Sequence, residues 1–88
     1  GATMSLLTDT IHEINAIRRQ LEDEAARIDG YLRVNQKQMQ LVREAMQGSR
    51  NSYDIRMLTA LQQAEDSLKK AQREIQQALT ALLRVSSI

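Results

Sequence analysis

Two long apolar stripes run along the chain, and both keep the spacing of an amphipathic helix. In the first stripe the positions alternate intervals of four and three residues, which is the heptad pattern of a helix that packs along one seam. Its members are Leu7, Ile11, Ile14, Arg18, Leu21, Ala25, Ile28, Leu32, Asn35, Met39, Val42 and Met46. The pattern predicts a first helix over about residues 5–47. It begins near Ser5 or near Thr10, which together with Glu13 fits a capping box.

The second stripe has the same alternation and contains only apolar side chains. Its members are Met57, Leu61, Ala64, Leu68, Ala71, Ile75, Ala78, Leu82 and Val85. This stripe predicts a second helix over about residues 52–86. Because one of its two columns consists of alanines, we expect the first helix to approach closely along that column, with Ile14, Leu21, Ile28 and Leu32 opposite it.

A short polar segment separates the two stripes and predicts a turn at 48–51. Gly48 is placed to adopt the left-handed conformation that closes the first helix. Asn51 or Ser52 can cap the second helix, and Asp54 then lies in its first turn, where the helix dipole favours a negative charge. A connection this short forces antiparallel packing. The predicted fold class is therefore all-α, an antiparallel two-helix hairpin in residues 5–88.

Two local signals adjust this picture. Gly30 disfavours helix, but the heptad phase passes through it unchanged, so we expect a continuous helix with a weak point. The minority alternative is a break there. Residues 1–4 are interpreted as an expression remnant followed by the start methionine, Met4, and are left out of the predicted fold.

Several apolar side chains lie off both stripes, and one seam cannot cover them. They are Leu6, Ile17, Tyr31, Val34, Leu41, Ile55, Leu58, Leu79 and Leu83. An exposed apolar patch of this size is typical of an interface. We therefore predict that the hairpin dimerises, with itself or with another helical hairpin, into a four-helix bundle. The candidate interface residues are Ile14, Ile17, Leu21, Ile28, Leu32, Asn35, Leu58, Leu61, Leu68, Ile75, Leu79 and Leu82, and the candidate turn residues are Met46, Gly48 and Tyr53.

Two polar residues occupy the first stripe, and each has two interpretations. Asn35 either fixes the register or the choice of partner, as a lone asparagine in a seam does, or faces solvent where the seam widens. For Arg18 we favour a packed aliphatic stem with the guanidinium in water.

Composition narrows the function. The 88 residues contain no cysteine and one histidine, and the formal net charge is +1. A chain this short without disulfides or metal ligands generally needs a partner for stability. The charge balance argues against nucleic acid. No segment resembles a membrane span or a signal peptide. We expect a protein that is cytoplasmic or is secreted without a cleavable signal, and that inserts into no membrane.

Catalytic chemistry is not indicated. His12 has no triad partners, and no Glu-x-x-His pair accompanies the acidic run at residues 22–24. Lys69, Lys70 and Arg73 are interpreted as a solvated group balanced by Glu65, Asp66 and Glu74. We expect no enzyme activity, no cofactor, no metal and no small-molecule substrate.

The turn carries a family resemblance. Met46-Gln47-Gly48 stands where the small hairpin proteins of bacterial type VII secretion, the ESAT-like or WXG-type family, have Trp-x-Gly. Apolar spacings after it resemble the second helix of that family, at Leu61, Leu68, Ala71, Ile75 and Leu79. The resemblance implies a divergent member that forms homodimers or heterodimers and is exported as a folded four-helix bundle. No Tyr-x-x-x-Asp/Glu signal appears near residue 88, so it also implies a signal-bearing partner.

A second resemblance competes with the first. Tyr53, followed by the Ala/Leu-rich stretch at residues 58–65, is similar to the cytoplasmic co-chaperones of type III secretion needle subunits. That resemblance implies a cytoplasmic protein bound to a partner chaperone. A plain coiled-coil structural or regulatory subunit is the third alternative.

Overall fold

A computed structural model describes residues 1–47 and 51–86 of the chain. In these residues the protein consists of two α-helices, α1 at Ala2–Ala45 and α2 at Ser52–Ser86. The two helices form a rod of 73 × 16 × 15 Å. The predicted all-α hairpin is confirmed.

Hydrogen bonds between side chains on the two helices define their direction and register. Gln36 Nε2 donates to Glu65 Oε1 at 3.0 Å, and Gln72 Nε2 donates to Asp29 Oδ1. Moving from residue 29 to 36 along α1 therefore corresponds to moving back from 72 to 65 along α2, so the helices are antiparallel. In both pairs the residue numbers sum to 101, so residues whose numbers sum to this value lie at similar heights along the rod.

The first helix begins earlier than the sequence predicted. Thr10 does not cap the helix, because it lies inside α1 and its hydroxyl donates to the Leu6 carbonyl at 2.9 Å. The helix continues back to Ala2, where Gly1 is the N-cap and its carbonyl accepts from the Ser5 amide at 3.2 Å. No proline or internal glycine interrupts residues 2–10, so nothing in this stretch stops the helix. Ala2 and Thr3, which were interpreted as part of an expression remnant, are thus helical.

The ends at the turn agree with the prediction within two residues. Helix α1 ends at Ala45, and the Met46 amide donates to the carbonyls of Val42 and Arg43 in a tightened last turn. At the start of α2, Asn51 Oδ1 accepts from the Asp54 amide at 2.9 Å, so Asn51 is the cap and Asp54 lies in the first turn. Gly48, which was predicted to close the first helix, lies outside the described residues.

The buried core occupies the middle of the first stripe. Ile28, Leu32, Asn35 and Met39 are the buried residues of α1. Gly30 lies within continuous helix, as expected. The start of α1 does not pack against α2, because the described part of α2 ends at residue 86, which lies at the height of Asn15. Met4, Leu7 and Ile11 are consequently exposed on about 20 Å of α1 that projects past the described end of α2.

The seam of α2 differs from the predicted one in one of its two columns. The column Leu61, Leu68, Ile75 and Leu82 is half-buried, as predicted. The alanine column is only partly in the seam, since Ala64 is exposed whereas Ala71 and Ala78 are half-buried. The adjacent column, with buried Glu65 and half-buried Leu58, Gln72 and Leu79, also closes the seam. Two interpretations were therefore wrong. Glu65 is not a solvated charge, and Leu58 and Leu79 do not lie off the seam. Both columns share the heptad period, and polar partners on α1 favour the one that contains Glu65.

Candidate protein-binding surface

The two flanks of the seam differ in chemistry, and we call them the polar face and the apolar face. On α1, Asp29 and Tyr31 are two residues apart, which points their side chains in nearly opposite directions around the helix. Asp29 shares a groove with Gln72, Lys69 and Arg73 of α2, whereas Tyr31 shares one with Ala64 and Ser67. One flank of the hairpin is thus charged and hydrogen-bonded, and the other is largely apolar.

The polar face is held by a network centred on Glu65. Its carboxylate accepts hydrogen bonds from Gln36 on α1 and from Gln62 at 3.3 Å, and Lys69 Nζ lies 3.6 Å away. The hydrogen bond from Gln36, followed by Lys69 and Gln62, lowers the pKa of Glu65 despite the opposing effect of burial. All polar atoms of this buried carboxylate are satisfied, so it functions as a structural link between the helices.

Asn35 lies beside this network, in the centre of the seam. Only 7% of it is exposed, and its Nδ2 donates to the Leu61 carbonyl oxygen at 2.8 Å. A helix carbonyl has a second lone pair available for such a donor. The interpretation that Asn35 faces solvent was therefore wrong, because the side chain is buried and links α1 to α2.

The apolar face is a shallow groove between the helices. Its residues are Tyr31, Val34, Gln38 and Leu41 of α1 and Met57, Ala60, Ala64, Ser67 and Ala71 of α2. Grooves lined by Tyr31, Val34 and Ala64 and by Leu41 and Met57 establish its centre, and Ala60 and Ala71 lie on it by helical spacing. Tyr31, Val34, Leu41 and Met57 each expose more than half of their surface, from 52% to 57%. No charged side chain is among the nine residues of this face.

The candidate interface residues divide into two groups. Eleven of the twelve are buried or half-buried in the hairpin, whereas Ile17 is 46% exposed on the same flank as Tyr31. The structure therefore uses most of the predicted set to join α1 to α2. Of the turn residues, Met46 is half-buried and Tyr53 is exposed.

Sequence reasoning missed the polar links of the hairpin and most of the apolar face on α2. A signal was present in the spacing, because Asp29 and Gln36 are seven residues apart and so are Glu65 and Gln72. Two polar pairs at matching heptad spacing are typical of neighbouring helices that hold one register. Hydropathy alone favoured the alanines, which hid this signal.

Other candidate chemistry stays dispersed. Within residues 1–47 and 51–86, no three His, Cys, Asp or Glu side chains form a group that could hold a metal ion. His12 is exposed. In the acidic run, Glu22 pairs with Arg18 and Glu24 pairs with Arg27 on the surface of α1. Neither of the two described helices is long and apolar enough to span a membrane.

The apolar face is accordingly one surface that the described residues leave without a partner, and the projecting start of α1, with Met4, Leu7 and Ile11, is another. Comparison with protein-family models, with curated proteins and with solved structures found no match for this sequence. The surface itself is therefore the basis for inferring function.

Proposed function

We propose that this protein is a non-enzymatic binding module whose apolar face packs against a second helical hairpin to form a four-helix bundle. The observation that supports this is the uncharged face itself, where Tyr31, Val34, Leu41 and Met57 are mostly exposed beside a seam already closed by Asn35. Apolar side chains contiguous over several helical turns are typical of an interface. The alanines opposite them allow close approach of another helix.

The test is complex formation by the purified chain. We would mix it with each hairpin protein encoded beside its gene, and with further copies of itself, and measure molar mass by light scattering. The expected result is one defined complex of two hairpins. Val34→Asp should weaken this complex, because it places a charge in the apolar face, whereas Gln76→Asp on the polar face is the matched control and should not. A folded chain that stays monomeric in every mixture contradicts the proposal.

We further propose that the bundle belongs to bacterial type VII secretion as an ESAT-like component or partner. Support comes from the sequence resemblance at Met46-Gln47-Gly48, where the family's turn role maps onto Met46 and Gly48, and from the two-helix architecture with a short connection. If the proposal is correct, the native host should export the chain into the culture medium. This export should require the membrane ATPase of the secretion system. Retention in the cell with the ATPase intact contradicts the secretion role and leaves the binding role to be judged by the mixing experiment.

The type III needle co-chaperone is the second candidate. Tyr53 near the start of α2, exposed in the structure, is the observation that favours it. The 44-residue length of α1 counts against it, because a first helix of this length is long for that family. Co-expression with a needle subunit would test it. A stable cytoplasmic complex is expected if it is correct, and no complex is expected if the chain is ESAT-like.

A further inference from the structure

We infer that the partner on the apolar face is a second copy of this chain, placed parallel to the first so that both turns lie at the same end. The inference rests on the proposed function and names its partner and geometry. The argument starts from the register of the hairpin, in which residues at the same height have numbers that sum to 101.

Across the apolar face, large side chains on α1 lie at the same heights along the rod as small side chains on α2. Val34 and Leu41 on α1 lie at the heights of Ser67 and Ala60 on α2. Tyr31 lies between the heights of Ser67 and Ala71 on the same basis. Each helix therefore presents a column that complements the column of the other in size.

A two-fold axis parallel to the rod turns this pattern into a self-complementary interface. Such an axis keeps every residue at its own height and places α1 of one copy over α2 of the other. Val34 then packs on Ser67 of the second copy, and Leu41 packs on its Ala60. Large side chains enter the spaces that small ones leave, and this happens twice because of the symmetry.

Beyond the ends of the apolar face, opposite charges give a second match in the same register. Arg27 lies one heptad before Val34, and Glu74 lies one heptad after Ser67. Their numbers also sum to 101, so the parallel dimer brings Arg27 of each copy to Glu74 of the other. Within the described part of the chain Glu74 forms no ion pair. Arg27 is paired only with its neighbour Glu24 on the surface.

The available area suits a stable dimer. Helix α2 has 35 residues, which is about 52 Å, and the rod is 15 to 16 Å wide. The whole flank along α2 therefore covers on the order of 800 Å² per copy, which is the usual size of a specific interface, and the nine residues of the apolar face form its central part. An antiparallel dimer would instead stack α1 on α1 and alanines on alanines, so one side of the bundle would be wide and the other narrow.

Cysteine cross-linking distinguishes these geometries, since the chain contains no cysteine of its own. We would mix Val34→Cys protein with tagged Ser67→Cys protein under mild oxidation and separate the products by size. If the dimer is parallel, the disulfide between the Val34→Cys and Ser67→Cys chains should be the main product. Dominant disulfides between identical variants, or a chain that stays monomeric by light scattering, overturn the inference. A monomer that still binds a neighbouring hairpin protein leaves the proposed function intact. Cross-linking of Lys69→Cys on the polar face is the control and should be absent.

Charge reversal supplies a readout that depends on the paired charges. Arg27→Glu and Glu74→Arg should each weaken the dimer by about tenfold, since each removes two symmetry-related ion pairs and introduces repulsion. The double variant should restore most of the affinity. Restoration supports the parallel dimer, and additive weakening in the double variant overturns it.

Discussion

The side-chain amide of Asn35 forms a hydrogen bond between the two helices at the centre of the seam. Asn35 is buried, and its Nδ2 donates to the Leu61 carbonyl. Because this carbonyl also lies within a helix, removing Asn35 leaves no buried acceptor without a partner. The amide thus contributes more to the choice of register than to the free energy of unfolding, as lone polar residues do in coiled coils.

We therefore predict that Asn35→Leu leaves the free energy of unfolding unchanged or raises it by about 1 kcal/mol, while the register loosens. Chemical unfolding followed by circular dichroism measures the stability. Distances between spin labels at Lys37→Cys and Lys70→Cys, both exposed, measure the register, and their distribution should broaden. A loss of more than about 1 kcal/mol with a narrow distribution would show that Asn35 acts through stability instead.

Glu65 makes the stability of the hairpin depend on pH. Its pKa in the folded protein is lowered, first by the hydrogen bond from Gln36. A lowered pKa means that its contribution is complete above the unfolded value of about 4.3 and is lost as the pH falls through the folded value. We predict that acidification from pH 6 to pH 3 destabilises the hairpin.

Urea unfolding at several pH values measures this loss. In Glu65→Gln the loss should be smaller, because the titrating carboxylate is gone. Asp66→Asn is the matched control, since its side chain is exposed on the neighbouring position, and it should retain the full loss. An identical pH profile in Glu65→Gln and in the unmodified protein would exclude Glu65 as the cause.

At the scale of the helices, Gly30 is a weak point that the fold tolerates. It lies inside α1 with ordinary helical backbone, and a Cβ placed there would meet only Arg33 Nη2 at 3.9 Å. That distance is a normal contact with the end of a flexible side chain. Nothing in the packing therefore requires glycine at this position.

Gly30→Ala should accordingly stabilise the hairpin by about 0.5–1 kcal/mol, because alanine loses less backbone entropy in a helix. Ala26→Gly, at an exposed position one turn earlier, should cost a similar amount and serves as the reciprocal control. Thermal and chemical unfolding measure both. Destabilisation by Gly30→Ala would mean that the glycine allows a close approach by another chain.

The helices also show which features the sequence could predict. Heptad spacing predicted the two helices and the stripe that contains the buried residues from Ile28 to Met39, and residue type limited the cap of α2 to Asn51 or Ser52. It could not select between the alanine column and the column containing Glu65, because both lie beside Leu61 and Leu68 with the same period. That choice depends on Gln36 and Asp29, which lie on the other helix. The hydropathy of α2 alone contains no information about such pairing, which shows only when the polar spacings of both helices are compared.

The start of α1 was missed for a related reason. Thr10 and Glu13 match the spacing of a capping box, but the same residues are compatible with a helix interior. The hydroxyl of Thr10 then bonds to the carbonyl four residues earlier. A capping pattern is decisive only where the preceding residues cannot be helical, and here they can.

At the scale of the whole molecule, the stability of the fold depends on the single narrow seam between α1 and α2. The rod is only one helix pair thick, and no large side chain in its described residues is completely buried. Each seam residue therefore contributes a large share of the total stability. The candidate surface could be predicted from the sequence only as a surplus of apolar residues, since its location follows from which column of α2 closes the seam.

Leu68→Asp tests this dependence. Leu68 is half-buried in the middle of α2, and Leu83 on the same helix is 63% exposed. A carboxylate at position 68 would lie against the buried seam without a partner, so we expect a loss of at least 2 kcal/mol and, in a chain this small, unfolding or dissociation. Leu83→Asp should change stability by less than about 0.5 kcal/mol. Circular dichroism melts with light scattering measure both variants. Equal melting curves for the two would mean that position 68 is not part of the seam, and the register assigned to the hairpin would then be incorrect.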